Sequence, residues 1–136
     1  VRHDSPLDAR LRELAILQVG YATRAEYEYA HHIEIARDVG VSDAEIRAVA
    51  LETAGADSCL GAIERAVLSA AREIVDQPKV SDKTFATLQE HLDAQCIVDL
   101  VLVISFYCAV ARVLGVLQID LEASYAHYLT EFPLPD

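Results

Sequence analysis

Gly40 is followed two residues later by Ser42-Asp43-Ala44-Glu45, so a helix stop and a helix start sit side by side. Glycine accepts the left-handed backbone that closes a helix, and Ser-x-x-Glu is the capping box that opens one. The same punctuation recurs along the chain. Ser5-Pro6 supplies a cap and a first-turn proline before a helix over Leu7 to Tyr21, apolar on nearly all sides and therefore buried. A second helix runs from Ala22 or Arg24 to Val39, and a third from the capping box to about Thr53. Leu60, Ile63, Val67, Ala71 and Ile74 recur at helical spacing and mark a fourth between Ser58 and Gln77, ended by Pro78. Ser81 caps a fifth to about Leu92, Ala94 to Leu117 forms a long sixth, and Leu121 to Leu129 a short last one. Hairpin dipeptides and sustained period-2 alternation are absent. The expectation is one all-α domain over residues 1–136, a bundle of six to seven helices.

Composition narrows the function classes. The 136 residues are 53% hydrophobic and carry 22 acidic against 11 basic side chains, a net charge of −11. No basic stripe is available to neutralise a phosphate backbone, so neither nucleic acid nor an anionic membrane surface is expected as a partner. The longest apolar run, Leu100 to Ala111, is about 12 residues, short of the roughly 20 that span a bilayer, and is expected to be a buried core helix. Val1 to Asp8 is polar and shows no secretory signal, and the first residue is not Met, which suggests a trimmed start. Cys59, Cys96 and Cys108 form no Cys-x-x-Cys, and a reducing, cytoplasmic setting is expected.

The chemistry concentrates on the second helix. On a helical wheel, the residues within about 60° of His32 are Ala25, Glu28, Tyr29, Ile35, Ala36 and Val39. Glu28 and His32 thus sit one turn apart in the middle of the stripe that should face the core, while Glu26, Tyr27, Glu34, Arg37 and Asp38 form the solvated face. Glu13 interrupts the apolar first helix in the same way, on the side shared by Ile16, Leu17 and Gly20. Burying such groups is costly unless they satisfy one another or a third group, so a pocket or interface is implied. A carboxylate beside an imidazole is general acid/base hardware. A structural ion pair uses the same residues, and Glu13, Glu28, His31 and His32 are also conceivable metal ligands, although no His-Glu-x-x-His pattern supports a metal site. Tyr107 on the sixth helix is a candidate pocket hydroxyl. No Gly-rich phosphate loop and no Gly-x-Ser-x-Gly elbow occurs.

Arg12-Glu13-Leu14-Ala15-Ile16-Leu17, Arg24-Ala25-Glu26-Tyr27-Glu28-Tyr29-Ala30-His31-His32 and Gly40-Val41-Ser42-Asp43-Ala44-Glu45-Ile46 follow one another in an informative order. With Ile63-Glu64-Arg65-Ala66-Val67, Val80-Ser81-Asp82, Phe106-Tyr107 and Arg112, they resemble the carboxymuconolactone decarboxylase family, which includes the alkylhydroperoxidase D-like proteins. The resemblance implies an alkylhydroperoxidase D-like all-α fold that forms homotrimers or homohexamers, with a pocket lined by the second helix. It sets Glu13 in the place of a proton-relay glutamate and His32 in that of the active-site histidine. The thiol pair of the peroxidase members falls on Ala25 and Glu28, so the disulfide-cycling nucleophile is missing. What remains is the decarboxylase side of the family: a lyase without metal or organic cofactor, acting on a small carboxylated or lactone-like metabolite. In that reading His32, Glu28 and Glu13 are catalytic, and Arg24, Tyr29, His31 and Tyr107 contact the substrate. The alternatives are a non-catalytic oligomeric ligand-binding protein and a peroxidase relative that works through Cys59, Cys96 or Cys108.

Overall fold

The computed structural model describes residues 5–136, and among them the secondary structure is entirely helical. The elements are α1 (Ala9–Thr23), α2 (Glu26–Asp38), α3 (Asp43–Thr53), α4 (Ala62–Asp76), α5 (Asp82–His91), α6 (Ala94–Val116), a 3-10 turn (Ala123–Tyr125) and α7 (Ala126–Glu131). The capping box of α3 forms in full, with Ser42 Oγ accepting from Glu45 N and Ser42 N donating to Glu45 Oε1. Gly40 takes a left-handed backbone at φ +94°. Two starts differ from expectation. Asp8, not Ser5, caps α1 by accepting from Leu11 N at 3.1 Å; Ser5 Oγ donates to Asp99 on α6 and accepts from Leu7 N, ahead of the helix. The fourth helix begins at Ala62, since Ser58 is drawn into a turn by Glu52, and Ser58 Oγ accepts from Leu60 N.

The first helix is apolar all round because it lies between two cores. Leu14, Leu17 and Tyr21 pack with α2, α3 and Phe132 from the end of α7. Leu11, Ala15 and Val19 pack with α4, α5 and α6. Every residue from Leu11 to Tyr21 is buried, Glu13 and Gln18 included. Gln18 is satisfied by Thr53 of α3 and Arg72 of α4. At the crossing with α2, a Cβ on Gly20 would lie 3.1 Å from Tyr29 Cβ and 3.2 Å from Tyr29 Cα. The missing side chain therefore lets the two helices approach closely, and that approach brings Glu13 within reach of His32.

The sixth helix departs from the reading of a buried core helix. Its inner face, including Leu100, Val103 and Ile104, is buried, but Phe106 is 62% exposed and Val116 80% exposed, with Val98, Leu102 and Val113 also open. With 23 residues and a mean hydropathy of 2.2 in its most apolar window, it is long and apolar enough to cross a membrane by length and composition. An apolar run tells only that water is to be avoided, and here half of the run has no partner within the chain.

Gly20→Ala is expected to lower the melting temperature despite the better helix propensity of alanine, by about 1–2 kcal/mol at the transition, because the new methyl meets backbone and Cβ atoms that cannot swing away. Thermal unfolding followed by circular dichroism checks this, and an unchanged or raised midpoint would refute the close-packing role.

Candidate functional site

The first turns of α1 carry Arg12 and Glu13, and the middle of α2 carries His32. His32 Nδ1 lies 2.7 Å from Glu13 Oε1, and Arg12 Nε donates to Glu13 Oε2 at 3.0 Å. Both oxygens of a fully buried carboxylate are thereby used. Burial alone would raise Glu13, but the bonds and charges of His32 and Arg12 outweigh it and hold the carboxyl below its ordinary value. An ionised carboxylate only accepts, so the shared proton sits on Nδ1 of His32. Nε2 is left without a hydrogen bond among the described residues and is free to accept or deliver a proton. Tyr107 on α6 stands edge-on to the imidazole, centroids 4.9 Å apart at 80°, and limits its rotation.

Glu28 behaves differently. It is 2% exposed, and neither carboxylate oxygen has a hydrogen-bond partner among the described residues. Burial pushes its carboxyl up to about 8. The expected Glu28–His32 pair is thus not formed: Nδ1 goes to Glu13, and neither Glu28 oxygen has a partner among the described residues. Two charged carboxylates in one dry interior would need two cations, and Arg12 is spent on the first. The environment pushes the two groups apart, one ionised and one neutral at pH 7, which is the pattern that separates a base or orienting group from an acid.

The other sequence candidates divide. Tyr107 joins the site. Tyr29 is instead a core residue against Tyr21 and Gly20, its hydroxyl pushed upward by burial. His31 lies on the outer side of α2, stacked between Tyr27 and Tyr125 and bonded through Nε2 to Glu122 at 2.8 Å, where it ties the C-terminal turn to α2. Arg24 is exposed in the left-handed cap of α1 and lines a 260 Å³ cavity with Ala25 and Ala111, one turn before Glu28.

Two neighbours escaped the sequence reading. Arg12 reaches sideways to its own neighbour Glu13, although adjacent helix positions do not normally face each other; a cation beside a carboxylate in an apolar helix was the available signal. Cys108 of α6 lies close enough to Glu28 that ionising the carboxyl would raise the thiol further, and nothing in spacing links the two. The three cysteines are free, and burial raises the thiols of Cys96 and Cys108, which makes them reluctant nucleophiles. No cluster of three or more His, Cys, Asp or Glu able to hold a metal ion occurs among the described residues.

Because the fold raises Glu28 to about 8 from a reference of 4.5, the stability it contributes is complete below the reference value and is lost as pH climbs to about 8. Glu28→Gln removes that loss. Beyond any pH-independent offset, the variant is expected to gain roughly 5 kcal/mol on wild type across the full titration, from below pH 4.5 to above pH 8. Denaturant titrations at several pH values read this slope, and parallel curves would show that Glu28 is ionised in the fold.

Comparison with curated proteins gives no match. Comparison with family models matches residues 1–73, the stretch that contains Arg12, Glu13, Glu28 and His32, to the Carboxymuconolactone decarboxylase family. More than half of the 136 residues are covered, and the chain belongs to the carboxymuconolactone decarboxylase family, as a member without the Cys-x-x-Cys pair.

Proposed function

We propose that this chain is a cofactor-independent acid/base enzyme, a lyase acting on a small carboxylated or lactone-like metabolite. The observation that carries the reading is the buried, unpartnered carboxyl of Glu28 beside a histidine whose ring is oriented by Glu13. In a decarboxylation the bond to the leaving carboxylate breaks, carbon dioxide departs, and the electron pair stays on carbon as an enolate. That carbon then needs a proton. Glu28, neutral at pH 7, donates it, and His32 Nε2 relays a proton from solvent to restore the acid. In this reading the carboxyl, not the imidazole, is the donor, because the Nδ1 proton of His32 is held by Glu13. Arg24, which lines the cavity next along α2, orients the substrate's anionic group.

A screen of lactone acids with carbon dioxide release as the readout tests the proposal. On the substrate so found, Glu28→Gln and His32→Gln are each expected to lower kcat about 100-fold or more with the helical signal unchanged. Full activity in both variants would refute it. A ligand-binding protein without catalysis is the second reading, favoured by the mutual satisfaction of Arg12, Glu13 and His32, which a purely structural stitch would share. It is selected if no substrate turns over and His32→Leu combined with Glu28→Leu stabilises the fold.

We further propose that copies of this chain associate, as trimers or hexamers, through the open face of α6. Support comes from the large apolar side chains there that lie outside the α5–α6 groove, Phe106, Val113 and Val116. Sedimentation is expected to give a multiple of 14.9 kDa, and Phe106→Glu to shift the mass toward a single chain. A monomeric wild type at micromolar concentration would overturn this.

A further inference from the structure

A second feature lies largely outside the residues matched to the family. Two cavities of 580 and 540 Å³ share Phe85 and Val101 and so form one groove along α5 and α6. None of Glu13, Glu28 and His32 lines it. At one end the lining is uncharged, with Leu92, Ile97 and Leu102. At the other, Ile74, Val80 and Leu88 are joined by Lys79 and Arg112, and no acidic residue lines either part.

Those two cations stand out against the charge of the chain. There are two acidic residues for every basic one, and Arg10, Arg12 and Arg37 all hold carboxylates. Lys79 and Arg112 meet none within ion-pair distance among the described residues. Arg112 is held over the groove by its own helix, Nη1 donating to the carbonyl of Cys108 at 2.9 Å. Val101, Ser105, Cys108 and Arg112 are spaced i, i+4, i+7 and i+11, so a single stripe of α6 runs from the apolar end to the charged end. The lining is apolar along its length and cationic at one end, and the volume suits a small organic ligand.

We infer that this groove binds a monomeric medium-chain carboxylate, with its head at Arg112 and Lys79 and its tail along Val101 toward Leu92 and Ile97. The inference goes beyond the acid/base chemistry and does not depend on it. Isothermal titration of the full chain with decanoate is expected to show saturable binding of one molecule per chain, with decanol, its uncharged twin, weaker. Arg112→Gln and Lys79→Gln are each expected to weaken decanoate about fivefold, the scale of one partly exposed charge contact. Ser105→Glu, an exposed position in the stripe, is expected to abolish decanoate binding while the helical signal stays unchanged. His32→Gln should bind decanoate as wild type does, which separates this groove from the catalytic proposal. Three results would overturn the inference: no saturable binding, as when a second copy fills the groove; equal affinities for decanoate and decanol across all variants; or flotation with anionic phospholipid vesicles without binding of decanoate.

Discussion

The charge of Glu13 in the middle of the most buried helix is the constraint around which the molecule is arranged. An isolated carboxylate in that position would cost several kcal/mol. It is retained because Arg12 and the Nδ1–H of His32 converge on its two oxygens. That convergence needs α1 and α2 to cross closely, and the crossing needs Gly20. One electrostatic requirement therefore links backbone packing, helix orientation and the tautomer of an imidazole.

The same requirement assigns the second carboxyl. With the buried cation already committed, Glu28 cannot be ionised cheaply nearby, and it stays neutral in the interior, its oxygens without hydrogen-bond partners among the described residues. Two glutamates of identical intrinsic chemistry, one on α1 and one on α2, thus hold opposite protonation states. Neither state is a property of the residue type; each is set by which donors the fold delivers to it. The chain carries no Cys-x-x-Cys pair, and Ala25 and Glu28, three positions apart at the start of α2, offer no thiol.

On the sixth helix, sequence and structure part for an instructive reason. Hydropathy reports that side chains avoid water but not what they avoid it against, so the apolar run read as core is half open in a single chain. The helix serves inward-facing Leu100 and Ile104, the ring of Tyr107 over His32, and an outer surface of Phe106, Val113 and Val116. Only the position of α1 and α4 decides which stripe is which.

Local signals were sufficient wherever the determining interaction is local. The capping box at Ser42, the stop at Gly40, the Ser81 cap and the inward placement of Glu13, Glu28 and His32 all follow from spacing of four residues or fewer, and they stand in the structure. The pairing of those inward residues did not follow. Position i, i+4 favours Glu28 for His32, whereas the bond goes to Glu13, 19 residues away. Tyr29 and His31, two positions apart and so on opposite sides of α2, are sent to the core and to an outer aromatic stack. Amino-acid order alone determined which side chains leave water, since that depends on helical periodicity. Which partner each one meets, and hence which carboxyl keeps its proton, was decided only when the helices crossed, because hydrogen bonds and desolvation act over distances that periodicity does not specify.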